Sequence, residues 1–150
     1  MARIDGGTKW KDRLKSIQRA MADKPELKVG FLENATYPDG TSVALIAAIQ
    51  NFGAPRVGIP PRPFFSNVIA RDQEKWPEQV ARLLKAENYN AERALALMGE
   101  SIQGEIRESI IQTNSPPLKP ATVDRKGFEK PLIDTSHMLN SVDYIVVKGA

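Results

Sequence analysis

The chain has 150 residues, 41% of them hydrophobic and 26% charged, a balance suited to one folded domain and indicating neither wholesale disorder nor a coiled coil. It has no cysteine, which excludes disulfides, thiolate nucleophiles and sulfur-ligated zinc together and is compatible with a reducing compartment. A net charge of +3, from 21 basic against 18 acidic residues, is too small by itself to mark a nucleic-acid binder.

The longest apolar run, Val43 to Ile49, is far shorter than the roughly 20 residues that span a bilayer. The opening MARIDGGTKWKDRLK offers neither the apolar segment nor the cleavage site of a signal peptide. A soluble protein, not exported by that route, is expected.

In chain order, Trp10, Leu14, Ile17 and Met21 recur at helical spacing, which predicts an amphipathic helix from Thr8, with Thr8 as its cap and Pro25 beyond its end. Leu27, Val29 and Phe31 then alternate with Lys28 and Gly30, the period of a strand over 27–33. After the turn at Pro38, Asp39 and Gly40, Thr41 or Ser42 can cap a helix that stops at Gly53. Because VALIAAIQNF is apolar almost all round, it is expected to be the most buried helix.

Prolines at 55, 60, 61 and 63 remove backbone donors and disfavour helix before them, so an extended arm is predicted over 54–63. A helix follows from Pro63 or Phe64, is interrupted or restarted at Trp76 and Pro77, and ends between Lys85 and Asn88. Asn90 can cap the longest helix, near 90–112, whose stripe is Leu95, Met98, Ile102, Ile106 and Ile110. Gly99 and Gly104 either weaken that helix or let something pack closely on it.

A proline-rich connector over 113–131 includes a short helical turn near 121–126, and Asp134 or Thr135 can cap a brief helix through Ser141. VDYIVVK, at 142–148, reads as a strand. The expected fold is therefore α+β in a single domain over 1–150, with about four principal helices and a sheet that is either small or completed by a neighbouring subunit.

Chemistry is sparse in this pattern. His137 is the only histidine, and a solvent-facing or partner-facing role outweighs catalysis for it. Glu100, Glu105 and Glu108 share no clean ligand face on the long helix, and no phosphate-binding signature follows a strand. No cofactor or metal site is expected, and no enzymatic activity. Two basic clusters stand out: Lys9, Lys11, Arg13, Lys15, Arg19 and Lys24 on the first helix, and Lys119, Arg125, Lys126 and Lys130 in the connector. They read first as solvated faces and second as sites of charge-driven contact with nucleic acid.

VGIPPRPFF, at 57–65, joins a stiff backbone to large aromatic area, which suits docking against a partner, although either phenylalanine can instead open the next helix and be buried in the chain's own core. The order of elements resembles the small tail-completion and virion-morphogenesis proteins of tailed bacteriophages. The likeness rests on Phe52-Gly53 after an Ala- and Ile-rich helix, then Pro61 to Phe65, then Pro117 to Gly127, then Pro131 to Thr135 with Leu139 to Ser141. It covers roughly 27–146, with Ser136 where the family commonly has glycine.

The resemblance implies a structural virion protein at the head–tail junction or upper tail, assembling as a ring, typically of six, around the DNA channel. It would contact copies of itself, the tail tube protein and the head–tail adaptor or neck proteins. On this reading Pro60, Pro61, Arg62, Phe64, Phe65, Leu132 and Ile133 are candidate interface residues, and Lys9, Lys11, Arg13 and Lys15 are candidates to line the channel. The alternatives are a small basic nucleic-acid-binding protein acting without assembly and, with no motif behind it, a phage-encoded nuclease.

Overall fold

The structure is a computed structural model that describes residues 6–113, 116–126 and 136–149. Both expected strands form: β1 (Glu26–Phe31), with its alternation, pairs antiparallel with β2 (Val142–Val147). In this register Leu27 faces Val146, Val29 faces Tyr144 and Phe31 faces Val142, which gathers the large apolar side chains onto one face of the ribbon. The other face carries Lys28, Asp143 and Ile145. An isolated two-stranded ribbon is marginal in water, so its apolar face must be covered.

The cover is the longest helix, which begins, as the sequence predicts, after Asn90, whose side chain accepts a hydrogen bond from the Arg93 amide at 3.1 Å. Among the described residues there are seven helices, more than the four principal ones expected: α1 (Gly6–Ala22), α2 (Val43–Phe52), α3 (Phe64–Asp72), α4 (Trp76–Ala86), α5 (Ala91–Gln112), α6 (Pro120–Lys126) and α7 (His137–Asn140). The excess comes from the separation of α3 from α4 and from the two short helices α6 and α7, which match the short turn and brief helix expected near 121–126 and before Ser141. Because α1 already includes Gly6, Thr8 lies within its first turn and does not cap it.

Helix α5 lies against the sheet, α3 and α4, and buries Ala91, Ala94, Met98, Ile102, Ile106 and Ile110 along its length. It comes so close at Gly99 that a Cβ there would stand 2.5 Å from the Tyr144 ring and 3.0 Å from Leu27 Cδ1. Gln103 and Arg107 then donate to the Val142 carbonyl at 2.7 and 3.0 Å, fixing the start of β2 on the same helix. Gly104 has nothing near it, so it is exposed helix interior with no packing reason for its missing side chain.

α5, not α2, is the most buried helix. α2 buries only Val43, Ala47 and Asn51, and leaves Leu45 and Phe52 largely exposed, because α3 and β1 cover it from one side only. At the other end of the core, Phe31, Phe64 and Phe65 meet edge-on or tilted, with ring centroids 6.2 to 6.5 Å apart.

At Asp72, which ends α3, hydrogen bonds from Arg71 and Lys75 at 2.7 and 3.0 Å hold the carboxyl below its usual range. A carboxyl lowered in the folded state adds stability above its unfolded value and loses it as pH falls through the folded one. The Asp72→Asn chain should therefore show a flatter loss of stability below about pH 4, the ordinary carboxylate range, than the parent in urea titrations at stepped pH.

The two helix glycines should respond oppositely. Gly99→Val should cost about 1–3 kcal/mol by forcing Tyr144 and β2 away from α5. Gly104→Ala should add about 0.5–1 kcal/mol. Urea unfolding of both variants checks the pair, and equal effects would contradict the close approach at Gly99.

Candidate functional site

The proline-rich segment is not extended throughout. Gly53 ends α2 with φ 77°, its amide donating to Ile49 O at 2.8 Å, and the chain immediately folds back on itself. A Cβ at Gly53 would lie 2.8 Å from Pro61 N, so the reversal needs glycine both for its backbone and for its lack of a side chain. Ala54 and Ile59 exchange backbone hydrogen bonds around a 3₁₀ turn at Pro55–Val57, closing a loop, and only Pro60 to Arg62 lie between it and a tight turn at Pro63 (φ −77°, ψ 52°), where the Phe64 amide donates to Arg62 O at 2.7 Å.

That run is pinned from α2. Gln50 O accepts from the Arg62 amide at 2.7 Å, and Asn51 Oδ1 accepts from the amides of Phe65 and Ser66 at 3.0 and 3.1 Å. Pro63 at the start of α3 offers no side-chain cap, so Asn51 serves as one from another helix, while its Nδ2 donates to Ser66 Oγ at 2.7 Å. From the other side Ser109 Oγ, on α5, donates to Phe64 O at 2.7 Å.

These contacts decide where each candidate interface residue goes. Phe64 is 0% exposed in the chain's own core, so its ring is not a surface contact, and alanine there would empty the core instead of stripping an interface. The reason is register: as the first residue of α3, it points with Val68 toward α5. Phe65 is half-buried against Gly30 of β1. Pro60 is half-buried and Pro61 exposed. Leu132 and Ile133 lie outside the described residues.

Arg62 is 5% exposed and lines a pocket of about 550 Å³ between α2, the Gly58 loop and the 117–125 stretch. Its Nε donates to Pro116 O at 3.0 Å and its Nη1 to Gln50 Oε1 at 3.4 Å, both neutral acceptors. Burial lowers its pKa from the ordinary value. Lys119 and Arg125 line the same pocket. His137, beside it, donates from Nε2 to Thr36 O at 2.8 Å and stacks on Tyr37 at 4.8 Å between centroids.

Lys9, Lys11, Arg13 and Lys15 are all exposed on α1, but they do not make one basic face. At about 100° per residue, Lys9 and Arg13 flank one side of the apolar stripe and Lys11 and Lys15 the other. Arg13 lies over the Tyr89 ring, 5.8 Å from its centroid. The stripe itself is uncovered: Trp10 is 63% exposed, and Leu14 and Met21 are also exposed. On α2 the outward row Leu45, Ala48 and Phe52 repeats the pattern, with Phe52 72% exposed.

Among the described residues no cluster of three or more acidic or histidine side chains could hold a metal ion, and no helix is long and apolar enough to cross a membrane. Sequence reasoning missed Asn51, although a polar residue near the end of an otherwise apolar helix was a usable signal. Compared with family models, curated proteins and solved structures, the chain finds no match.

Asn51→Ala should cost about 1–3 kcal/mol by leaving two amides at the start of α3 without an acceptor. Ser66→Ala, which keeps both amide bonds, should cost no more than about 1 kcal/mol. Equal losses in urea unfolding would show that the cap is not what holds the junction.

Proposed function

We propose that this chain is a structural assembly subunit, the ring-forming completion or neck protein of a phage tail, and not an enzyme. The observation that carries the reading is that two separate helices leave apolar faces uncovered: Trp10, Leu14 and Met21 on α1, and Leu45 and Phe52 on α2. Apolar surface of that kind marks an interaction site when it is grouped and not scattered.

The two faces sit at opposite ends of the long helix. α1 borders the start of α5 through Ser16 and Ala20, which share a recess with Asn88 to Glu92, and α2 is tied to its far end through Asn51, α3 and Ser109. From Ala91 to Ser109 the helix rises roughly 27 Å at about 1.5 Å per residue. Two unlike patches that far apart suit a head-to-tail contact, the heterologous geometry that closes into a ring when the rotation per subunit allows.

In this reading the α1 stripe of one copy packs on the α2 row of the next, and ring closure removes both faces from water. The cations beside the α1 stripe, Lys9, Lys11, Arg13 and Lys15, then border the contact, where charge steers association and can reach DNA in the channel. The resemblance of VGIPPRPFF and its neighbouring motifs to tail-completion proteins supplies the setting, the virion, and the expected six copies.

Light scattering tests the ring. The parent chain, alone or seated on tail tubes, should give a species near six times 16.6 kDa. Leu14→Glu and Phe52→Glu should each abolish it. Because each variant keeps one good face, mixing them should give a heterodimer of twice 16.6 kDa and nothing larger. A monomer that ignores tubes and binds DNA with strong salt dependence would replace this reading with the nucleic-acid-binding one.

A further inference from the structure

We propose that the Arg62 pocket is a binding site for a carboxylate carried on an apolar stem, the form in which an acidic and apolar segment of a partner protein would present it. A guanidinium buried to this degree is ordinarily matched by a carboxylate, because an unpaired buried charge is costly. Arg62 is 5% exposed, yet among the described residues it forms no ion pair, and its two hydrogen bonds there go to a backbone carbonyl and a side-chain amide. Nη2 has no acceptor among the described residues, leaving part of the fork that binds carboxylates free.

Two further cations reach the same space without ion pairs among the described residues, Lys119 with its ammonium near Gly58, and Arg125 on α6. Among the described residues the one carboxylate on the lining, Asp39, accepts from the Thr41 amide at 2.9 Å and pairs with none of the three. Three cations against one engaged carboxylate make the recess electropositive.

Its walls select among anions. Ile46, Ile59 and Leu118 give the pocket an apolar side. A phosphodiester backbone has nothing to place against them, and a duplex tracks exposed basic surface more readily than a recessed arginine. A carboxylate flanked by aliphatic side chains satisfies both halves, with the charge on the Arg62 fork and the stem against the apolar wall.

The test is fluorescence anisotropy of a labelled peptide, Gly-Leu-Asp-Leu-Gly amide, titrated with the full chain, so that it succeeds or fails whatever the solution mass proves to be. Saturable binding is expected, weakened roughly tenfold or more when Asn replaces Asp in the peptide or when the protein carries Arg62→Gln. Lys119→Ala with Arg125→Ala, both at exposed positions, should weaken it by a smaller factor and covers the case in which Arg62→Gln fails to fold. Equal binding of the Asn peptide, no saturation, or displacement by inorganic phosphate or a short duplex at lower concentration than by the unlabelled peptide would overturn the assignment, the last in favour of a phosphate site.

Discussion

The Asn51 carboxamide meets the first amides of α3, and the placement of Phe64 and Phe65 follows from that contact. A helix that starts immediately after proline has orphan amides and no side chain of its own to satisfy them. By accepting from Phe65 and Ser66, Asn51 sets where α3 begins and how it is turned. Phe64 is thereby aimed into the core and Phe65 against the sheet, and Arg62, two residues upstream, is held in its recess by the backbone of Gln50.

The same junction explains how one short proline-rich stretch carries both packing and recognition. Gly53 reverses the chain and the Ala54 to Ile59 loop brings it back alongside α2, so the run Pro60 to Pro63 lies against the chain's own helix instead of projecting as a free arm. What the segment leaves outward is not its two phenylalanine rings but Val57, 71% exposed, and Pro61, while its guanidinium is recessed.

Much of the architecture was legible because it depends on local rules. Period-two alternation located β1, β-branched and aromatic content located β2, Asn90 and the Thr41–Ser42 pair marked helix starts, and Gly53 marked a stop. The i, i+4 series Met98, Ile102, Ile106 and Ile110 identified the longest helix. α2 misled for a physical reason: an all-round apolar helix signals burial only if enough neighbours exist to surround it, and here one side meets water. The α1 stripe was read correctly as a helix face, but amphipathic spacing does not say whether that face is covered by the same chain.

The sequence by itself determined the α+β class, the long central helix, the places where backbone must reverse or lack donors, and the absence of thiol chemistry, since each depends on residue type and near-neighbour spacing. Only the tertiary structure decided which apolar residues are core and which are surface, that Gly99 is a point of contact while Gly104 is not, and that Arg62 is buried with no carboxylate partner among the described residues. Those outcomes depend on pairs such as Asn51 with Ser66, Ser109 with Phe64, and Arg62 with Pro116. Their separations of 15, 45 and 54 residues lie beyond the reach of any local periodicity.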